Sequence, residues 1–306
     1  MNRRPLTLAA AVLAGGLVLS GCAQESSTSS SSSAAPESSS AAPESSSPAE
    51  SPSSDACAKE NLVTVTPGTL TIGTDKPAYP PYFVDDDPSN GKGFESAVAY
   101  AVAEGLGYTT DEVTWTVVPF NTSYAPGDKN FDFDINQISI TPERQKAVDF
   151  SDGYYTVNQA VVALKDSPIA DATTLEQLKT AKLGAQVGTT SLTYIDEYVQ
   201  PEAKPFVYND TNDAKSALEN GQIDGIVVDL PTAYYITAAE IDNSKIVGQF
   251  PAQEGPDAEQ FGLLFAKGNP LVECVNQVLA ELKSTGDLEE IQNVWLAGDE
   301  APYFQQ

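Results

Sequence analysis

The chain has 306 residues and a formal net charge of −27 at pH 7. This acidity disfavours nucleic acid and anionic lipid as partners, because long-range repulsion opposes both. The sequence contains no histidine, which excludes histidine-based acid–base catalysis, serine–histidine–aspartate triads and histidine-containing metal sites. We expect neither a metal nor a cofactor. The length suffices for one large domain or for two lobes with separate cores.

Residues 1–21 have the pattern of an export signal. Arg3 and Arg4 precede an apolar stretch that is too short and too rich in Ala and Gly for a membrane span. The letters LSGC at 19–22 resemble a bacterial lipobox, which implies cleavage before Cys22 and attachment of lipid to it. An ordinary signal peptide with an incidental cysteine is the alternative. We therefore expect an extracytoplasmic protein, anchored by lipid to the outer face of the cell membrane.

Residues 22–56 start with this cysteine and are then predicted to form a disordered tether. Ser, Ala, Pro and Glu dominate the segment, which repeats AAPESSS at 34–40 and 41–47. Such a composition cannot bury enough apolar surface to offset the entropy of ordering. A coil of this length reaches about 30 Å, root mean square, which is enough to hold a domain away from a membrane.

From Thr69 onward, predicted strands and helices alternate. The strands are predicted at 69–75, 113–120, 131–141, 159–165, 182–188, 204–209, 223–229, 244–250 and 261–267. The helices are predicted at 93–108, 173–180, from about 191, and at 211–222, 230–240 and 270–296, the last with a break near Gly286. This alternation indicates parallel sheets covered by helices.

Polar side chains gather where the predicted strands end. They comprise an arginine, two carboxylates and hydroxyls, together with one aromatic ring, at Arg144, Asp75, Asp229, Ser139, Thr190 and Phe120. In open α/β sheets, ligands bind beyond the carboxyl ends of the strands. The set suits a small zwitterion.

Four segments, in this order, resemble one protein family. They are GTDKPAYPPYFVDDDPSNGKGFESAVAYAVAEGLGY, ITPERQKAVDFSDGYY, LGAQVGTTS and ALENGQIDGIVVDLPTAYY. They are similar to segments of the polar amino-acid solute-binding proteins (family 3) of bacterial ABC importers. The resemblance runs from about Val65 to Trp295. It implies two α/β lobes of the periplasmic-binding-protein type II fold, joined by two hinge strands, in a monomer that closes over an amino acid and delivers it to a permease.

The resemblance also implies roles for individual residues. Arg144 matches the arginine that binds the ligand's α-carboxylate, and Asp229 matches the acid that binds the α-ammonium. Ser139 and Thr190 match hydroxyl residues of the site and are expected to donate to the carboxylate. An ion pair of Arg144 with Asp149 or Glu143 is the structural alternative.

Four further positions match ligand-contacting residues of the family, namely Phe120, Tyr79, Asp75 and Gln137. Phe120 and Tyr79 match aromatics at the ligand, with core packing as their alternative. Asp75 matches an acid that often contacts the ligand's side chain, but the segment carries one residue more than the commonest spacing, and a cap of the following turn is its alternative. Gln137 replaces a frequent glycine, so its carbonyl is available to a ligand while its side chain can narrow the pocket.

Two functions of different classes remain open from the sequence. The first is a non-catalytic receptor that delivers an amino acid to an importer, with glutamine or a cationic amino acid favoured by the carboxylates. The second is an enzyme on the same scaffold, such as a dehydratase that uses Asp75 or Glu95 as proton donor on a small carboxylated substrate. A sensory or adhesive lipoprotein is a weaker third reading. The expected lipid anchor and tether favour the receptor, and the missing histidine weakens the case for an enzyme.

Two long-range features complete the predictions. The lobes are expected to divide near Val157 and Ala252, so that 65–157 and 253–306 form lobe 1 while 158–252 form lobe 2. Once Cys22 is assigned to lipid, Cys57 and Cys274 remain. In an exported chain we expect a disulfide between them, with two free buried thiols as the alternative.

Overall fold

The computed structural model describes residues 56–252, 255, 258–296 and 301–305. The predicted signal peptide, Cys22 and all but the last residue of the predicted tether lie outside this range. No helix within the described residues is long and apolar enough to cross a membrane.

The strands of the described part are short, and several end earlier than predicted. They are β1 Leu70–Thr74, β2 Val113–Val117, β3 Phe133–Asp134, β4 Val148–Phe150, β5 Tyr155–Thr156, β6 Gln159–Leu164, β7 Leu183–Gln186, β8 Phe206–Tyr208, β9 Gly225–Asp229, β10 Ser244–Gln249, β11 Gln260–Phe261 and β12 Leu264–Ala266. β4 and β5 were not predicted, and the predicted strand at 261–267 divides into two.

The α-helices within the described residues are α1 Phe94–Gly105, α2 Phe120–Ser123, α3 Thr190–Tyr194, α4 Thr211–Glu219, α5 Leu230–Tyr235, α6 Leu271–Thr285 and α7 Asp287–Trp295. The predicted break near Gly286 is confirmed, and this glycine has a φ of +90°. The helix predicted at 173–180 is wrong, because only a 3-10 turn forms at Leu175–Leu178. That segment buries one side chain, Leu178, and so short a helix needs more tertiary packing to persist.

The first sheet has the order β2-β1-β3-β12-β4. Helices α1 and α6 pack on it, with Val98 and Val102 of α1 and Phe133 of β3 in one apolar core. Val98 and Val102 are one helical turn apart, so both point toward the sheet. The predicted disulfide between Cys57 and Cys274 is present and ties the chain before β1 to α6.

The second sheet has the order β10-β6-β9-β7-β8. Both five-stranded sheets are mixed, which corrects the prediction of parallel sheets. β6 is antiparallel to β9 and β10, and β12 is antiparallel to β3 and β4. β6 and β12 each enter their sheet directly from a chain crossing, after β5 and β11 respectively, without the helical crossover that a parallel connection requires.

The chain crosses between the two sheets along a small ribbon in which β5 and β11 pair antiparallel. The predicted division near Val157 and Ala252 stays a prediction, although the last described residues differ from it. Tyr303 forms a bridge with Gln249, the last residue of β10 in the second sheet, and Phe304 is 3% exposed in that sheet's core. The chain end therefore packs on the second sheet, whereas the sequence division assigned it to lobe 1.

Candidate functional site

A cavity lies beyond the strand ends of both sheets. Seven of the eight predicted ligand-contacting residues line it, namely Asp75, Tyr79, Phe120, Gln137, Arg144, Thr190 and Asp229. The eighth, Ser139, bonds to one of them. The lining also includes polar residues that the sequence analysis did not select as contacts, namely Asn136, Gln186, Thr189, Ser191, Thr211 and Thr232. These residues lie next to predicted residues or at other strand ends. The sequence did not reveal them as contacts, because a single polar residue at such a place forms no recognisable motif.

Arg144 is 8% exposed, and within the described residues its guanidinium bonds only to neutral backbone oxygens. Nη1 donates to the carbonyl of Ser139 at 2.6 Å, and Nη2 donates to the carbonyl of Gly188 at 2.9 Å. Burial lowers the pKa of Arg144 from its usual value. Nevertheless, a guanidinium stays protonated at neutral pH, so this positive charge faces the cavity.

The ion pair that was the structural alternative for Arg144 does not form in the described residues. Asp149 instead binds Lys267 at 2.6 Å, and Glu143 binds Lys146. Arg144 thus has no carboxylate within ion-pair distance in the described part of the chain.

Gly188 allows the second sheet to approach Arg144 closely. Its φ is +75°, and a Cβ atom at this position would come within 2.2 Å of the Tyr124 hydroxyl. The Tyr124 ring lies under the guanidinium, with 5.0 Å between its centroid and Cζ, and the Phe120 ring lies 5.5 Å away. Two aromatic faces and two carbonyls therefore fix the orientation of Arg144.

Asp229 ends β9 and lines the same cavity from the second sheet. Its Oδ1 accepts from Nε2 of Gln159 at 2.6 Å. Burial, and then the negative charge of Glu259, raise the pKa of Asp229 to about 8, although the Gln159 hydrogen bond opposes the rise. Such a carboxyl group holds a proton near neutral pH until a positive charge approaches it.

A hydrogen-bond network next to the cavity contains two residues that the sequence analysis missed, Gln159 and Glu259. The Ser139 hydroxyl bonds to Glu259 at 2.6 Å and lies 3.4 Å from the hydroxyl of Thr190. Gln159 had a detectable signal, because it is the one polar residue in the buried strand QAVVAL. Glu259 had none, since 120 residues separate it from Ser139.

Asp75 lines the cavity and also accepts two backbone hydrogen bonds. Its Oδ2 accepts from the backbone N–H of Phe120 at 3.1 Å, and Oδ1 accepts from the N–H of Lys76 at 2.7 Å. It therefore caps the first turn of α2 while it also lines the cavity. The hydroxyl of Tyr79 is buried without a hydrogen-bond partner in the described residues.

Gln137 adopts the left-handed conformation that favours glycine, with a φ of +48°. Its backbone N–H donates to Glu95 at 2.7 Å, and its side-chain amide bonds to the same carboxylate. The amide is thus held by Glu95. Glu95 is fully buried, which raises its pKa to about 7. It is not among the residues that line the cavity.

Comparison with known proteins points to one family. The model for bacterial extracellular solute-binding proteins, family 3, matches residues 70–298. The L-cystine-binding protein TcyJ of Escherichia coli (strain K12) is 30% identical over 235 residues, covering 76% of this chain and 84% of that protein. The arginine-binding extracellular protein ArtP of Bacillus subtilis (strain 168) is 29% identical over 238 residues, covering 75% and 87% respectively.

The solved structure of an ancestral arginine-binding protein bound to glutamine resembles this one with a TM-score of 0.63 and 31% identity, covering 76% of this chain and 99% of that one. This likeness confirms the predicted two-lobed α/β fold of type II. The family match extends over most of the described residues, from the first strand to the end of the last helix. The chain belongs to the bacterial extracellular solute-binding proteins of family 3.

Proposed function

We propose that this protein binds one amino acid in the cavity and delivers it to the permease of an ABC importer. One observation carries the proposal. A buried arginine without a counter-charge in the described residues and a carboxyl group from the other sheet line the same cavity. A zwitterion placed between them offers each residue the opposite charge.

The contacts follow from the chemistry of these groups. The guanidinium of Arg144 binds the α-carboxylate, with Thr190 as a further donor. Asp229 accepts from the α-ammonium, whose charge lowers the pKa of this carboxyl group and draws off its proton. Phe120 and Tyr79 contact the ligand through their rings, and the carbonyl of Gln137 and the carboxylate of Asp75 face the remainder of the ligand.

The ligand is glutamine or an amino acid with a cationic side chain. Two acidic side chains, Asp75 and Asp229, line the cavity, which opposes the side chains of glutamate and aspartate. The relatives support this class, since one is named for arginine and the solved ancestral protein holds glutamine. The cystine-binding relative adds a third polar amino acid to the test.

The relatives support binding rather than catalysis. TcyJ, ArtP and the ancestral protein are each named as binding proteins. The dehydratase-like alternative also required Asp75 or Glu95 as a proton donor. Glu95 does not line the cavity, and both oxygens of Asp75 accept backbone hydrogen bonds.

The protein works as a lipid-anchored monomer on the outer face of the cell membrane. The LSGC sequence that ends at Cys22 supports the anchor, and the family is extracellular by description. If Cys22 carries lipid, Cys22→Ala releases the protein from the membrane fraction in fractionated cells. Retention of this variant in the membrane fraction contradicts the anchor.

Size-exclusion chromatography of residues 56–306 with light scattering tests whether the protein is a monomer.

A thermal-shift screen of residues 56–306 with the common amino acids and L-cystine tests the binding function. A ligand at about a hundredfold over its Kd adds roughly 2.7 kcal/mol of stability, which gives a clear shift. We expect L-glutamine or L-arginine to give the largest shift, with calorimetry confirming one site per chain. The absence of a shift with every amino acid contradicts the proposed function.

A further inference from the structure

Glu259 connects the two chain crossings with the acidic end of the cavity. It lies just before β11 on the return crossing, and its backbone carbonyl accepts from the N–H of Val157 on the outward crossing at 3.0 Å. Its Oε1 accepts from the Ser139 hydroxyl at 2.6 Å. The amide nitrogen of Gln159 lies 3.3 and 3.4 Å from its two carboxylate oxygens and 2.6 Å from Asp229. One amide therefore bridges two carboxyl groups.

The two carboxyl groups decide which atoms donate and which accept in these hydrogen bonds. Oxygens of Asp229 and Glu259 face one end of the Gln159 amide, so this end is the donating nitrogen, and Oε1 at the other end accepts from the Ser191 hydroxyl at 2.6 Å. The single hydroxyl proton of Ser139 goes to Glu259, since a carboxylate can only accept. The lone pairs of Ser139 remain, and they can only accept. Ser139 lies just behind the cavity wall, 3.4 Å from the hydroxyl of Thr190, so a ligand group that approaches the Ser139 hydroxyl there meets only acceptor lone pairs.

The charges around this network favour a cation. Within the described part of the chain, the other ionisable groups that interact with Glu259 or Asp229 are Arg144, Glu95, Tyr82, Tyr155, Tyr194 and Tyr198. Only Arg144 is positive, and its guanidinium is held by the carbonyls of Ser139 and Gly188. The Glu259 charge contributes to raising the pKa of Asp229 to about 8. An ammonium group beside Asp229 offsets the negative charges of both Asp229 and Glu259.

We propose that Glu259 is a positioning residue that makes the site select ligands with a free α-ammonium. Glu259 is not among the residues that line the cavity, so it acts through Ser139 and Gln159. It turns the Ser139 hydroxyl into an acceptor and places a second negative charge behind Asp229. In this proposal Ser139 accepts from the ligand, in place of the expected donation to the ligand's carboxylate. The inference rests on the proposed function.

The test compares Glu259→Gln with the wild type, both as the full chain. The matched control is Glu219→Gln, which makes the same chemical change at an exposed position on α4. The probe is L-arginine or L-glutamine, whichever binds the wild type more tightly, together with its 2-hydroxy acid, in which a hydroxyl group replaces the α-ammonium. Calorimetry gives both affinities between pH 6 and pH 8.5, and urea unfolding checks that the variants fold.

We expect Glu259→Gln to weaken amino-acid binding by about tenfold to a hundredfold at pH 8, within the range for loss of a close charge. Binding of the 2-hydroxy acid should change much less, so the preference for the amino acid falls. The affinity should also level off at a lower pH than in the wild type, because Asp229 ionises more easily once the neighbouring charge is gone. Glu219→Gln should behave as the wild type in all three respects.

The outcomes separate this inference from the proposed function. If the wild type binds neither amino acid, the proposed function fails and the inference fails with it. If the wild type binds but Glu259→Gln keeps the same preference and the same pH profile, Glu259 does not position the site. An equal loss for the amino acid and its 2-hydroxy acid would indicate a merely structural role and overturn the inference. If Glu259→Gln does not fold, Glu259→Asp replaces it, with a shifted pH profile expected and an unchanged profile contradicting the inference.

Discussion

At the scale of single residues, Arg144 decides whether the cavity holds a carboxylate. Arg144→Ala should weaken binding of the best amino acid by about 2–5 kcal/mol, the range for removing one partner of a buried charge pair. Arg144→Lys should also weaken binding, because lysine lacks the two parallel donors of the guanidinium. The measurement is calorimetry, with Lys146→Ala as the control on an exposed neighbour. Unchanged affinity in Arg144→Ala contradicts the assignment of this residue.

Asp229 should make the ligand-free protein less stable as the pH rises. Its pKa is about 8 in the folded protein, against an ordinary value of 3.8, so the folded state holds a proton that the unfolded state releases. The titration of Asp229 therefore does not lower the free energy of unfolding below about pH 4. Between about pH 4 and pH 8 it lowers this free energy progressively. Asp229→Asn removes this pH-dependent loss of stability, because asparagine does not titrate.

We expect Asp229→Asn to raise the free energy of unfolding of the ligand-free protein by about 2–4 kcal/mol at pH 7, and by little at pH 4. Amino-acid binding should be lost, since an amide cannot offset the ammonium charge. Urea unfolding at both pH values measures the difference. Equal stability of the wild type and the variant at pH 7 would argue that Asp229 is already ionised in the ligand-free protein.

At the scale of elements, the chain end holds the second sheet. Phe304 is 3% exposed, packs edge-on against Phe250 with 5.9 Å between ring centroids, and covers Gly248. Phe304→Ala should lower the free energy of unfolding by about 3–5 kcal/mol, the usual range when a buried phenylalanine is truncated to alanine. Tyr303→Ala, at a residue that is 48% exposed, is the control in the same urea experiment. Equal effects of the two variants contradict this role of the chain end.

Local patterns predicted the elements that have a clear apolar period or a clear stop. Strand β1, helix α1, strand β9 and the break at Gly286 belong to this class. The segment at 261–267 has an equally apolar pattern, yet it divides into β11 and β12. A Cβ atom at Gly262 would come within 2.7 Å of Ile140, so the division accompanies close packing against a residue 122 positions away. No local pattern contains that contact.

At the scale of the whole molecule, ligand binding should favour one closed arrangement of the two sheets. Contacts across the cleft already include Arg144 with Gly188 at 2.9 Å and Asn121 with Asn209 at 3.3 Å. A ligand that joins Arg144 and Asp229 adds binding energy only to this arrangement, so it shifts the population toward it.

Solution scattering of residues 56–306 measures this shift. We expect the radius of gyration to fall when a saturating amino acid is added, and to stay unchanged in Arg144→Ala under the same conditions. An unchanged profile of the wild type, with ligand shown to be bound by calorimetry, contradicts closure on binding.

The sequence by itself determined the family, the α/β class and seven residues of the cavity lining, because these depend on short motifs. Arg144 and Ser139 are five residues apart, and one proline turn sets their relation. Tertiary structure decided the direction of the antiparallel strands, the packing of the chain end and the acceptor to which the Ser139 hydroxyl donates. The partner in that last bond, Glu259, is 120 residues away. Only folding along both crossings brings it near, and a buried hydroxyl then donates to the strongest acceptor within reach.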